Sequence, residues 1–212
     1  MFLTFEGVDC SGKTTQAAIL VDALRGSSGT PVHFIREPGG TAISERLREI
    51  LLDRSNLELS ELTELFLFSA SRAQLVAQVI VPALDRGETV VCDRFYDSTT
   101  AYQGYGRGLD LDAVRRVNAV AAAGAEPDLT VLVDIPVGEI EARKRTSGGA
   151  SDRMENAGKE FYERVRRGYL AIARAHPERF MDIDGMRGVN DIAREIRRAV
   201  EERHEQLHRE EK

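Results

Sequence analysis

Five short runs of apolar or β-branched residues recur along the chain, and the stretches between them carry apolar residues at helical spacing. The short runs predict buried strands over residues 2–5, 32–35, 89–92, 129–133 and 179–183. Helical spacing predicts helices over residues 16–24, 42–52, 60–85, 113–123, 138–144, 158–174 and 189–208. Pro82 lies inside the longest of these and predicts a kink or a break there. Because strands alternate with helices, we expect an α/β fold whose five-stranded parallel sheet is covered by helices on both faces.

The first strand runs directly into a segment that fits the phosphate-binding pattern G-x-x-x-x-G-K-[ST]. Gly7 and Gly12 permit backbone angles that a side chain would block. Backbone N–H groups of such a loop surround phosphate oxygens, Lys13 reaches the outer phosphates, and Thr14 is placed to bind Mg²⁺. A chance match in an ordinary glycine-rich turn is the alternative, which the strand before the loop and the helix after it disfavour. The predicted nucleotide-binding residues are Gly7, Val8, Asp9, Cys10, Ser11, Gly12, Lys13, Thr14 and Thr15.

Composition narrows the class of protein. The chain has 212 residues, 42% of them hydrophobic, and a net charge of −6. These values fit one globular domain over residues 1–212, without a linker or repeat, and disfavour a general nucleic-acid binder. The two cysteines make neither a disulfide framework nor a zinc site. Without a signal peptide or an apolar run near ~18 residues, we expect a cytoplasmic protein that crosses no membrane.

Charged residues follow the second and third predicted strands. In parallel sheets ligands bind beyond the carboxyl ends of the strands, where Arg36, Glu37, Asp93 and Arg94 would meet the phosphate loop. An acid at Asp93 is suited to a magnesium site, and Arg94 could hold a phosphate oxygen. A salt bridge at the surface is the alternative for this pair.

Two further patterns are ambiguous from the residues alone. The cations of residues 143–145 precede a glycine-rich stretch and then Arg153, which predicts a mobile lid over about residues 144–154. The alternative is a charged helix end followed by a disordered loop. Phe68 and Arg72 share one helix face, where a ring and a guanidinium could hold a base. By themselves they fit a core phenylalanine near a surface arginine better. Residues 102–108 read as a binding loop or a turn.

Taken together, these motifs resemble the bacterial thymidylate kinase family. The matching segments are residues 5–9 leading into the phosphate loop, 36–40, 68–72, 93–95, 98–104, 127–129 and 152–155. They occur in the family's order over nearly the whole chain. The resemblance implies the P-loop NTPase fold of nucleoside monophosphate kinases. It also implies transfer of the ATP γ-phosphoryl group to dTMP, giving dTDP, with Mg²⁺, in dTTP biosynthesis. Members of the family form homodimers, so a homodimer is expected.

The resemblance also implies roles for individual residues. Phe68 would stack on thymine, Arg72 would bond its edge, and Tyr102 would pack on the deoxyribose and disfavour a 2′-hydroxyl. Arg143 would lie on the adenine of ATP. Thr14 and Asp93 would hold the metal. The implied catalytic residues are Lys13, Asp93, Arg94, Arg145 and Arg153. The implied dTMP-binding residues are Asp9, Glu37, Pro38, Arg48, Phe68, Arg72, Arg94, Thr99, Tyr102 and Gln103.

One departure from part of the family affects the catalytic cations. Some members, eukaryotic ones included, carry an arginine in the phosphate loop where this chain has Cys10. Positive charge must then come from the lid, as Arg145 or Arg153, and the sequence leaves the choice open. Two other functions remain at this stage. One is a kinase for another nucleoside monophosphate or a deoxynucleoside. The other is a nucleotide-driven switch or partition ATPase, for which the sequence offers no residue to position an attacking water.

Overall fold

The computed structural model describes residues 1–27, 29–147, 153 and 158–210. Five parallel strands form one sheet in the order β2-β3-β1-β4-β5. This confirms the predicted five-stranded parallel sheet, and no strand end differs from its predicted position by more than one residue. The strands are β1 (Phe2–Glu6), β2 (Val32–Arg36), β3 (Thr89–Asp93), β4 (Leu129–Asp134) and β5 (Phe180–Asp184).

Helices occupy the connections between the strands. They are α1 (Lys13–Ser27), α2 (Ala42–Leu52), α3 (Glu61–Leu75), α4 (Val81–Asp85), α5 (Tyr96–Thr99), α6 (Leu111–Ala122), α7 (Val137–Ser147), α8 (Gly158–Ala175) and α9 (Val189–Glu210). Two π-helical segments, Val76–Ile80 and Thr100–Gly106, continue α3 and α5.

Successive side chains of β1 point to opposite faces of the sheet, and their contacts show which helices cover each face. Leu3 and Phe5 pack with α1 and α9 on one face, through residues such as Leu20 and Ile196. Phe2, whose side chain points the other way, packs in a separate cluster with Leu75 and with other residues of the α3–α4 region. Both faces of the sheet are therefore buried by helices, as the sequence pattern predicts.

The long predicted helix over residues 60–85 is interrupted rather than simply kinked. The π-helical turn Val76–Ile80 lies directly before Pro82. Proline provides no N–H and crowds the carbonyl four residues earlier, and the wider turn removes this conflict. By length and composition alone, Glu61–Asp85 could cross a membrane. Leu75, Val76 and Ile80 of this stretch are buried in the core against the sheet, which accounts for its apolar character.

The segment read from sequence as a loop or turn after residue 102 is helical instead. Residues Tyr96–Thr99 form α5, and the chain continues through the π-helical segment to Gly106. Tyr102 and Gln103 are buried there, because α8 packs closely against this segment. Of the predicted lid, only residues 144–147 and Arg153 belong to the described part of the chain. Its glycines Gly148 and Gly149, together with Asp152, lie outside the described residues.

Candidate active site

The phosphate loop joins β1 to α1 in a tight turn. Gly7 has φ +141°, and a Cβ at this position would lie 2.4 Å from the carbonyl oxygen of Val133 on β4. Gly12 (φ +98°) and Cys10 (φ 61°) also occupy the left-handed region. The turn bends Lys13 back over the loop, where its Nζ donates to the Val8 carbonyl at 3.3 Å. Burial, together with the nearby Arg94 guanidinium, holds the pKa of Lys13 below its usual value.

Asp93 brings a carboxylate to this loop from the end of β3. β3 pairs with both β1 and β2, so that Asp93 stands opposite Phe5 on one side and Arg36 on the other. Its Oδ2 accepts a hydrogen bond from the Thr14 hydroxyl. Its Oδ1 is buried and has no hydrogen-bond partner within the described part of the chain. A hydroxyl beside a carboxylate with one oxygen unused is a donor set that suits Mg²⁺.

Arg94 is the most connected cation of the site. Its backbone has φ 73°, which turns the side chain back towards the phosphate loop. Nη2 donates to Asp9, and Nη1 donates to the Gly7 carbonyl at 2.9 Å and to Tyr169 at 3.0 Å. Burial by itself would raise the pKa of Asp9, but Arg94 and Lys13 outweigh it and hold that pKa below its ordinary value. The guanidinium is thus fixed in place before any ligand arrives.

Glu6 helps to position Arg94, since both contact Ser98 and Tyr169. Sequence analysis assigned Glu6 no role. This fully buried carboxylate accepts from the Phe95 backbone N–H at 2.7 Å, from the Ser98 hydroxyl and from Tyr169 at 2.9 Å. Ser98 and Tyr169 also accept hydrogen bonds from Arg94. Burial, and then the charge of Asp97, raises the pKa of Glu6 to about 7. Sequence offers no local signal for it, because its partners lie on α5, on α8 and in the turn between β3 and α5.

At some distance from the phosphate loop, the guanidinium of Arg72 is fixed by three hydrogen-bond acceptors. Nε donates to Glu37 at 2.8 Å, Nη2 to Thr99 at 2.9 Å and Nη1 to Asn118 at 3.0 Å. The pair with Glu37 is buried, which corrects the reading of Arg72 as a surface arginine. Burial raises the pKa of Glu37 to about 7 against the opposing charge of Arg72. Phe68 lies half-buried one turn before Arg72 on the cavity wall.

A single cavity of about 360 Å³ joins the two ends. Arg48 closes one wall, where its Nη1 donates to the Pro38 carbonyl at 2.9 Å. The cavity brings together most of the residues that sequence analysis selected. Those that line it are Asp9, Lys13, Thr14, Glu37, Pro38, Arg48, Phe68, Arg72, Asp93, Arg94, Thr99, Tyr102 and Gln103.

Arg143, which was expected to lie on adenine, and the predicted lid arginines Arg145 and Arg153 lie outside the cavity. Arg143 lies against the phosphate loop, donating to the carbonyls of Cys10 at 3.2 Å and Ser11 at 3.0 Å. Arg145 is exposed in the last turn of α7. Arg153 donates to the Leu51 carbonyl and to Glu64, beside the base end of the cavity. In this structure, neither Arg145 nor Arg153 is among the residues that line the cavity.

Lys144 is a cation to which sequence analysis gave no individual role. Its Nζ lies 5.4 Å from the centroid of the Tyr162 ring. The Tyr162 hydroxyl in turn donates to Asp9 at 2.6 Å. This arrangement places a positive charge from α7 beside the acidic group of the phosphate loop.

Comparisons with known proteins agree on one family. A sequence model described as thymidylate kinase matches residues 5–196. A thymidylate kinase of Pelotomaculum thermopropionicum is 49% identical over 201 residues, which cover 95% of this chain and 93% of the relative. One of Caldanaerobacter subterraneus subsp. tengcongensis is 48% identical, with 95% of each chain covered. The crystal structure of thymidylate kinase from Ehrlichia chaffeensis superposes with a TM-score of 0.72 at 38% identity, covering 86% of this chain and 91% of that one.

Proposed function

This chain belongs to the thymidylate kinase family, and we propose here how its own residues perform the family's reaction. It is a nucleoside monophosphate kinase that phosphorylates dTMP to dTDP, with ATP as the phosphoryl donor. A new bond forms between an oxygen of the dTMP phosphate and the γ-phosphorus of ATP, and the bond from that phosphorus to the β-phosphate oxygen breaks. We propose that residues 1–212 act as one catalytic domain.

The observation that carries the proposal is the shape of the cavity. The phosphate loop stands at one end and the Phe68–Arg72 pair at the other, within a single space of about 360 Å³. Phosphoryl transfer needs two nucleotides facing each other, with fixed positive charge between them. Lys13 and Arg94 supply such charge along the same cavity.

At the donor end, backbone N–H groups of residues 7–15 would hold the triphosphate, with Lys13 on its outer oxygens. Arg143 would border the adenine, since it already lies against the loop. Thr14 and the unused oxygen of Asp93 would hold Mg²⁺. When bound, this ion would neutralise charge on the phosphates and orient them.

At the acceptor end, Arg94 would hold the dTMP phosphate, and Asp9 keeps its guanidinium correctly oriented. Pro38 and Arg48 would form the wall of the monophosphate pocket, and Glu37 would act by fixing Arg72. Phe68 would stack on thymine, and Arg72 would donate to the oxygen at its edge. Thr99 and Gln103 would complete the base pocket, while Tyr102 would pack on the sugar where a 2′-hydroxyl would otherwise fit.

Lid arginines would supply the remaining charge in the transition state. Cys10 leaves the phosphate loop without an arginine, so Arg145 or Arg153 would approach the transferred group when both substrates are bound. Arg153 would have to exchange its present contact with Glu64 in order to do so.

We propose that the enzyme acts as a cytoplasmic homodimer, independent of membranes and nucleic acid. Large apolar side chains are exposed on three neighbouring helices, namely α2, α3 and α6. An apolar surface of this kind is suited to a second copy of the chain. The side chains are Ile43, Ile50, Leu62, Phe66 and Val120. A mass measurement in solution tests the dimer.

The experiment that tests the function is an acceptor panel. ADP release from Mg-ATP is followed with dTMP, dUMP, dCMP, dGMP or thymidine offered separately. We expect fast turnover with dTMP. Hydrolysis that needs no acceptor would indicate a switch protein, and turnover with thymidine alone would indicate a nucleoside kinase.

A further inference from the structure

Glu64 is a buried carboxylate to which sequence analysis assigned no role. It lies on α3, only 1% exposed, and contacts two other parts of the chain. Its Oε1 accepts from the Gln103 side-chain amide at 2.8 Å. Its Oε2 accepts from Arg153 at 2.6 Å and from Arg107 at 3.1 Å. Arg107 also reaches Oε1 through Nε, at 3.2 Å, so that its guanidinium holds both oxygens of the carboxylate. Glu64 thus connects α3 to both segments.

The charge state of Glu64 determines how the Gln103 amide must be oriented. Burial alone would raise the pKa of Glu64, but hydrogen bonds from Arg107 and Gln103 overcome it and hold the pKa below its usual value. Glu64 is therefore ionised at neutral pH and only accepts hydrogen bonds. Gln103 must turn its –NH₂ group towards Glu64, because its carbonyl oxygen would be repelled there. This requirement settles an amide orientation that heavy-atom positions alone leave ambiguous.

The other polar atom of this amide is Oε1, and Gln103 lines the substrate cavity beside Thr99 and Arg72. With Nε2 committed to Glu64, the amide offers the base an acceptor rather than a donor. Thymine carries a hydrogen on N3, whereas N3 of cytosine carries a lone pair. An acceptor in the pocket therefore favours thymine and disfavours cytosine, independently of what Arg72 contacts.

We propose that Glu64 is a positioning residue for base selection, which fixes the Gln103 amide so that its carbonyl oxygen receives the N3–H of the pyrimidine. Arg107 keeps Glu64 ionised and in place through hydrogen bonds to both of its oxygens, whether or not Arg153 stays beside it. The inference rests on the proposed function, since it concerns the base of the dTMP acceptor. Glu64 itself need not touch the substrate.

Glu64→Gln tests the inference because the new side chain has nearly the same shape but both a donor and an acceptor. Its oxygen takes the Oε2 position, where Arg153 and Nη2 of Arg107 donate, so its –NH₂ group takes the Oε1 position and faces Gln103. The longer contact from Nε of Arg107 is given up. The Gln103 amide must then turn over and present its own –NH₂ group to the cavity. A donor now faces the N3–H of dTMP. The double variant Glu64→Gln/Gln103→Glu returns an acceptor to the cavity and keeps the total charge of the wild-type pair.

The readouts are kcat and KM for dTMP, dCMP and ATP in the full-length enzyme, with the thermal midpoint of each variant. We expect Glu64→Gln to raise the KM for dTMP about tenfold or more, since a hydrogen bond is lost and two donors meet. The KM for ATP should stay near wild type, and the ratio of kcat/KM for dTMP to that for dCMP should fall. The double variant should recover the dTMP KM to within about threefold of wild type. Glu61→Gln, an exposed change on the same helix, should alter none of these values.

Unchanged dTMP kinetics in Glu64→Gln would overturn the inference. So would a loss shared equally by dTMP and ATP that the double variant fails to repair, since this is the result of a purely structural role. If Glu64→Gln does not fold, the double variant alone decides, and a dTMP KM more than about tenfold above wild type contradicts the inference. Failure of the proposed function is recognised separately, because the wild-type enzyme would then not phosphorylate dTMP at all.

Discussion

Phe68→Ala should weaken binding of dTMP while leaving binding of Mg-ATP nearly unchanged. Phe68 lines the base end of the cavity, away from the phosphate loop. Removing an aromatic side chain that stacks on a base costs about 1–3 kcal/mol. At about 1.4 kcal/mol per factor of ten, the dissociation constant for dTMP should rise about 5- to 150-fold. The ring is only half-buried, so the loss of folding stability should be below the ~3–5 kcal/mol typical of a fully buried phenylalanine.

Isothermal titration calorimetry measures both substrates on the same protein preparation. Phe34→Ala is the matched control, because Phe34 is also partly exposed but lies on β2 outside the cavity. We expect this control to bind both nucleotides as the wild type does. An equal loss of dTMP and ATP affinity in Phe68→Ala, or an unchanged dTMP affinity, would refute the stacking role.

Four further predictions concern the phosphate end, the lid, the buried carboxylate and the subunit contact. Lys13→Ala should lower kcat by about two orders of magnitude or more in a coupled ADP assay, because it removes charge at the transferred group; near-normal turnover contradicts this. Arg153→Ala should lower kcat more than it raises the KM for dTMP in the same assay; a change in KM alone argues against a role in the transition state. Glu6 has a folded-state pKa of about 7 against an ordinary value of 4.5, so its protonated form stabilises the fold. This contribution to the free energy of unfolding is complete at acid pH and is lost as the pH rises from about 4.5 to 7. Urea unfolding across this range should show the fall in wild type but not in Glu6→Gln, and parallel profiles would contradict it. Phe66→Asp should convert a dimer to a monomer in light scattering, since it places a charge on the exposed apolar surface of α3; an unchanged mass excludes this helix as the contact.

Sequence analysis could predict those parts of the site whose residues lie close together along the chain. The phosphate loop lies within one continuous segment, and its spacing carries the chemistry by itself. Asp93 follows a strand that the apolar run at residues 89–92 already predicts, and in a parallel sheet its position beside the loop follows. The resemblance to one family then selected Phe68 and Arg72, which the residues alone did not support.

The parts that could not be predicted depend on contacts between distant segments. Glu6 bonds Tyr169 across 163 positions, and Arg153 meets Glu64 across 89. The residues next to Glu6 and Glu64 in the sequence do not indicate that these carboxylates are buried and hydrogen-bonded. Both look like ordinary acidic residues of a strand or helix until their partners from distant segments are known. Asn118 is a similar case, because only the structure shows that its side-chain oxygen accepts a hydrogen bond from Arg72. The π-helical segment at Thr100–Gly106 was also missed, and its glycines suggested a turn instead.

The central claim is that the cavity holds dTMP and meets the ATP triphosphate at the phosphate loop, so that the phosphates of the two nucleotides face each other between Lys13 and Arg94. The most direct test is a crystal structure with dTMP and magnesium bound to a non-hydrolysable ATP analogue. We expect thymine against Phe68 and the γ-phosphate in the phosphate loop, facing the dTMP phosphate beside Arg94. Thymidine monophosphate bound outside this cavity, or a triphosphate that avoids the loop, would contradict the account.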